Sequence, residues 1–172
     1  YLWCIDGSAL AVAADSLAAI RQRVLREHRF TYAQLLHYLD TNWEGPEGER
    51  ARLFLQNVDR YGKGGSDADD LAVRLSQIFT REVKAQRTPV HGFQKVPGLF
   101  SWANTLTMGA TLGATPNGRR AGEPISHGAN PNPGFRKDGA ATAMSAAIAS
   151  VQPGYGNTAP MQIELEPSVT TE

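Results

Sequence analysis

The sequence predicts a mixed α/β chain, helical in residues 1–88 and built from a strand and a long irregular stretch in residues 89–172. Three observations predict it. Apolar residues recur at helical spacing in four separate stretches before residue 88. Of 17 basic and 17 acidic side chains, 24 lie in residues 1–90. Beyond Pro89 the composition turns to Gly, Pro, Asn and Thr, which punctuate turns and do not sustain helices.

The elements follow in order. Leu10, Leu17, Ile20 and Val24 form a stripe in an Ala- and Arg-rich stretch, which predicts one amphipathic helix over about residues 8–27 with Ser8 as its N-cap. Thr31 followed by Gln34 has the form of a capping box and opens a short helix through Leu35, Leu36 and Leu39 that stops before Gly45. A third helix begins after Pro46, carries Leu53, Phe54 and Val58, and ends in the glycine loop that follows Tyr61. Ser66 caps a fourth, with Asp67, Asp69 and Asp70 where the helix dipole favours carboxylates and Leu71, Leu75, Ile78 and Val83 as its stripe. Residues 99–108 read as a strand because aromatic, β-branched and small residues outweigh helix formers. Residues 109–139 are too dense in glycine and proline for a regular element; residues 140–150 form a small-residue helix, and residues 161–165 alternate apolar and polar.

The chain of 172 residues, 41% hydrophobic, with one cysteine and no net charge, has the composition of a globular protein. A single thiol makes no internal disulfide. The balanced charge argues against a nucleic-acid or anionic-membrane footprint, and no apolar run is long enough to span a bilayer. The first residues lack a basic n-region and an initiating Met, so a fragment of a longer chain is expected.

Candidate chemistry is sparse. The segment from Gly113 to Arg120 has the outer glycine spacing of a phosphate loop, but Arg119 and Arg120 stand where Lys and Ser or Thr belong, and Pro116 removes one cradle N–H. A tight turn around Asn117 and Gly118 is the better reading. Cys4, between Trp3 and Ile5, reads as an inert buried thiol. His28, His37, His91 and His127 are too scattered for a metal site, and the Asp67 to Asp70 cluster lacks the later Glu of a calcium loop. Trp102 and Asn104 share one face of the expected strand, and Thr105 lies on the other.

Four motifs, in order, resemble those of the glycyl radical enzymes, the superfamily of pyruvate formate-lyase. VAADSLAAI at 12–20 is similar to a helix of that family. Tyr61-Gly62 followed by SDADDLA at 66–72 is similar to its YGN-type segment. MGATLGATPNGRRAGEP at 108–124 resembles its TPDGR signature, and GANPNPGFRKDGAATA at 128–143 the stretch that follows it. Together they span nearly the whole chain.

The resemblance implies part of an α/β barrel of about ten strands, a barrel being one of the few ways a sheet buries its core. It implies radical chemistry on a small organic substrate, of the acetyltransferase, dehydratase, lyase or decarboxylase type, in which a glycyl radical and a cysteine pass a hydrogen atom. It also implies an activating enzyme using S-adenosylmethionine and an iron–sulfur cluster, a homodimeric parent and an anaerobic cytoplasm. Cys4 does not sit in the family's cysteine motif, and Gly154-Tyr155 follows Gln152-Pro153 rather than R-V-(S/A). The relay is therefore expected elsewhere, with the glycyl radical domain absent here and this chain inert alone, no cofactor being bound by it directly. A non-catalytic remnant or subunit that binds a partner chain is the alternative. By the same resemblance Trp102, Asn104 and Thr105 are expected to line the substrate pocket. Arg119 and Arg120 are expected to pin the Gly/Pro segment through carbonyls, since a guanidinium offers five donors in a fixed fork.

Overall fold

The computed structural model describes residues 2–86, 94–99, 104–133 and 141–151. Strand β1 (Leu2–Asp6) pairs in parallel with β2 (Gln94–Gly98), Leu2 opposite Gln94 and Asp6 opposite Gly98, and the amide of Gly7 extends the ladder to the Gly98 carbonyl at 2.8 Å. Four helices form the crossover, as parallel pairing requires a long connection: α1 (Leu10–Ala19) with a π-helical continuation (Ile20–Arg26), α2 (Tyr32–Asp40), α3 (Gly45–Gln56) and α4 (Asp67–Ala85). Two further helices follow, α5 (Asn104–Ala110) and α6 (Ala141–Ser150).

Local chemistry starts α2 and α4. Thr31 accepts from the Gln34 amide at 3.2 Å while the Gln34 side chain accepts from the Thr31 amide at 2.9 Å. At α4 the same box is made by Ser66 and Asp69, whose carboxylate also accepts from the Gly62 and Gly64 amides at 2.7 and 2.9 Å. One side chain thus caps the helix and orders the glycine loop before it.

The start of α1 differs from expectation. Ser8 is not the cap; Ala9 flanks the helix in the left-handed region, φ 62°, without a side-chain capping bond. The single helix over residues 8–27 also changes form at Ile20, where the wider π turn, with Glu27 N–H bonded to the Gln22 carbonyl, coincides with Arg23 reaching across to the Phe54 carbonyl at 3.0 Å.

The core is built from alanine more than from leucine. Ala11, Ala14 and Ala18 of α1 are buried together with Ala68 and Ala72 of α4, beside Tyr61, Leu99, Ala129 and the α6 residues Ala147 and Ile148. Small side chains let two helix backbones approach, so the alanine faces are inside. The expected stripes are buried only in part: Leu10, Val24, Leu35 and Val83 are inside, whereas Leu17, Leu36, Leu53 and Ile78 are exposed among the described residues. A second cluster gathers Ala19, Val24, Leu35, Ala51 and Leu55 around Trp43, which is 1% exposed.

Residues 99–108 are not one strand. The strand lies earlier, at Gln94–Gly98, and residues 104–110 are helical. Single-residue β propensity loses here to tertiary packing, because Gly109 seats α5 directly on the backbone of Glu123 and Pro124. Strand β1 was not anticipated, since its partner lies some ninety positions away in sequence. It carries Cys4, which is exposed rather than buried, since nothing among the described residues covers that side of the sheet. The expected alternation at 161–165 lies outside the described residues.

Candidate functional site

The second half of the chain is held against the helices at two buried polar junctions. The first is the turn at Thr115–Arg119. Pro116 presets the first corner, the Gly118 amide closes the turn on the Thr115 carbonyl at 2.9 Å, and Gly118 has φ +85°, which a side chain would strain. Asn117 Oδ1 accepts from Thr115 Oγ1 at 2.7 Å, and its amide donates to Ser16 Oγ of α1 at 3.2 Å.

The two arginines divide their work. Arg119 is buried and donates to the carbonyls of Glu123, at 2.6 Å, and of Gly113, bracing its own loop. Its Nε has no partner within the described residues, and burial lowers its pKa. Arg120 reaches outward to the Asn42 carbonyl at 3.3 Å and Glu49 at 2.5 Å. Glu49 also holds Arg52, whose hydrogen bonds keep its carboxyl below the usual range. The receptor for this loop is a strained turn between α2 and α3, where Asn42 and Trp43 sit at φ 52° and 64°. Trp43 Nε1 donates to the Arg119 carbonyl at 3.1 Å, and Asn42 Oδ1 accepts from the Ala121 amide at 2.8 Å. Two residues in a costly conformation persist because the loop over-determines them.

The second junction centres on Asp15, 1% exposed inside α1. Its Oδ1 accepts from the Tyr61 amide at 2.8 Å and its Oδ2 from Asn132 Nδ2 at 2.6 Å. The Tyr61 hydroxyl donates to the Ala129 carbonyl at 2.8 Å. One carboxylate therefore joins α1, the glycine loop and residues 129–132. Burial raises the pKa of Asp15 to about 6 against the lowering pull of those two donors and Arg60, and burial likewise pushes Tyr61 well up. At neutral pH Asp15 is an anion held by two donors, and both oxygens are committed, so it acts as a joint.

Of the pocket-wall candidates, Trp102 lies outside the described residues. Asn104 is exposed at the start of α5, whereas Thr105 is buried and its carbonyl accepts from the Ile125 amide at 3.3 Å. Asp15, Tyr61 and Asn132 lie within the motifs quoted above but are assigned no role by sequence, and Trp43 lies outside them. A lone acid inside the apolar stretch LAVAADSLAA was the available signal for Asp15. No group of His, Cys, Asp and Glu among the described residues could hold a metal, and no described helix is long and apolar enough to cross a membrane.

The α5 seat supplies a direct test of this packing. A Cβ on Gly109 would lie 2.3 Å from the Glu123 carbonyl oxygen, and backbone cannot yield. Gly109→Ala is expected to destabilise the seat by about 1–3 kcal/mol, read as faster hydrogen exchange of the Ile125 amide.

The sequence model of the pyruvate formate lyase-like family matches residues 1–109, so the chain belongs to that family, the family of the glycyl radical enzymes. It is 34% identical over 126 residues to the (2S)-3-sulfopropanediol dehydratase of Klebsiella oxytoca, covering 73% of this chain and 15% of that one. It is 30% identical over 135 residues to the trans-4-hydroxy-L-proline dehydratase of Clostridioides difficile, covering 78% and 17%. Among solved structures, the 1,2-propanediol-dehydrating protein of Roseburia inulinivorans superposes with a TM-score of 0.81 at 28% identity, over 88% of this chain and 20% of that one. The chain thus spans less than a fifth of the curated relatives named here.

Proposed function

We propose that this chain is one section of the barrel of a glycyl radical dehydratase or lyase acting on a small hydroxylated organic substrate. The observation that carries the reading is that the chain aligns with dehydratases while covering 15% and 17% of their lengths. Its surface supports it. Trp3 of β1 is 55% exposed, and Leu106, Met108 and Leu112, along and just after α5, are 64%, 44% and 45% exposed. Three large apolar side chains exposed within one short segment favour contact with further protein.

In such an enzyme a glycyl radical, installed by an activating enzyme, supplies hydrogen-atom abstraction through a cysteine. The part of this chain in that scheme is positional. The Asp15 junction and the Trp43–Arg119 junction hold the second half of the chain against the helices. Asn104, exposed at the start of α5, is the proposed substrate contact; Thr105 is turned into the packing and supports α5. Homodimerisation and a place in an anaerobic cytoplasm belong to the same proposal.

The reading is tested by expressing residues 1–172 alone. The open strand edges and exposed apolar side chains predict aggregation or dependence on the rest of the barrel. A monomeric chain with a cooperative unfolding transition, by size exclusion and circular dichroism, would contradict it.

A further inference from the structure

A shallow groove of about 250 Å³ opens between α2, α3 and the turn after the π-helical segment. Its composition is unusual for a surface dimple. The guanidinium carbons of Arg29 and Arg50 both lie 5.9 Å from the ring centroid of Phe54, so two cations converge on one aromatic ring. Like charges brought together at a surface favour an anion between them.

The neighbouring protein does little to neutralise them. Arg50 makes no ion pair among the described residues. Arg29 meets Glu27 at 3.8 Å, but that carboxylate is already held by Arg23 at 2.7 and 2.8 Å and by Gln22 at 2.9 Å. Glu47, the one carboxylate lining the groove, pairs with neither arginine among the described residues. The remaining polar groups add donors. Gln34 spends its oxygen on the α2 capping box, which leaves its amide N–H groups for a ligand, and Tyr38 lines the same groove. The apolar part of the wall is aromatic, with Phe30 edge-on to Tyr38 at 6.1 Å.

We propose that this groove binds a small organic carboxylate, with Arg29 and Arg50 taking the anion and the aromatic wall taking its apolar body. The chemistry follows from donors outnumbering acceptors, from guanidinium forks matching carboxylate geometry, and from rings that offer a flat apolar face. The size fits a small ligand, since the groove falls below the roughly 300–1,000 Å³ of drug-sized pockets. The site is independent of the radical chemistry proposed above and stands or falls without it.

Equilibrium dialysis of labelled benzoate against the intact natural polypeptide tests the site. Saturable binding is expected, weakened about tenfold or more in Arg50→Gln and in Arg29→Gln, as loss of a charge-assisted hydrogen-bonded pair implies. Both side chains are exposed, so the variants should keep the wild-type circular dichroism spectrum, and Glu47→Gln should bind at least as tightly as wild type. Benzyl alcohol, which has the ring without the charge, should compete poorly. Absence of saturable binding at millimolar benzoate, binding unchanged in both arginine variants, or equal competition by benzyl alcohol would overturn the proposal. Inorganic phosphate displacing benzoate at equal concentration would overturn the role given to the aromatic wall.

Discussion

Trp43→Ala is expected to be the most damaging single change in the helical half, costing about 3–5 kcal/mol as a large buried side chain is truncated. Three effects fall on one residue. Trp43 is 1% exposed at the centre of the second core cluster, so its removal leaves a cavity between α2 and α3. Its indole N–H is bonded to the Arg119 carbonyl, so the signature turn loses a buried donor. Its backbone sits at φ 64°, in the left-handed region that the docked loop helps to hold. Hydrogen exchange in the intact polypeptide provides the readout, because it reports local opening without requiring the whole protein to unfold in one step. The Thr115 and Gly118 amides, which close the turn, should lose protection together. Trp43→Phe, which keeps most of the volume and loses the donor, should cost about 1–2 kcal/mol. Equal effects of the two variants would show that the hydrogen bond, rather than the packing, holds the loop.

Asp15→Ala is expected to open the second junction by about 2–4 kcal/mol, because it leaves the buried Tyr61 amide and Asn132 amide group without an acceptor. Exchange of the Tyr61 amide should accelerate about a hundredfold, each 1.4 kcal/mol being a factor of ten. The wild-type junction should also depend on pH, with a sign opposite to that of a salt-bridged carboxylate. Burial raises the Asp15 pKa to about 6, so between roughly pH 4 and 6 the folded state keeps a proton that the unfolded state releases. Stability contributed by this group is present in full below about pH 4 and falls as the pH rises through 6, by about 3 kcal/mol in total. Glu27 and Glu49, held below the usual range first by Arg23 and Arg52 respectively, act with the opposite sign and lose their support as the pH falls below about 4.5. Tyr61 exchange, corrected for its intrinsic rate, should show this slope in the wild type and not in Asp15→Asn, which retains an acceptor for the Tyr61 amide. An identical profile in both proteins would remove Asp15 from the account.

What was legible in the sequence was local. The capping boxes at Thr31 and Ser66 are three-residue signals, and both form as their spacing requires. The disposition of Arg119 could be reasoned from its donor fork in a segment crowded with carbonyls. What was not legible depended on partners distant in sequence. Leucine at helical spacing marks a face that could be buried, yet Leu36 and Leu53 point outward while Leu35 and Ala51 pack around Trp43. Residues 104–110 are helical because Gly109 finds a backbone to rest on, a fact residing in Glu123 and Pro124. Asp15 carried a signal, a charge amid alanines, but its partners Tyr61 and Asn132 are 46 and 117 positions away. The proposed reaction rests on family resemblance alone, since the described residues form a scaffold.

The central claim is that this chain is built into a glycyl radical enzyme, and electron paramagnetic resonance tests it most directly. The intact natural polypeptide would be incubated anaerobically with a radical S-adenosylmethionine activating enzyme and a reductant, then frozen. The account predicts a carbon-centred radical signal split by one α-hydrogen and destroyed by air, with cleavage of the chain at the radical site. A polypeptide that stays radical-free under conditions that activate a known glycyl radical dehydratase would contradict the claim and leave a non-catalytic relative that shares the fold alone.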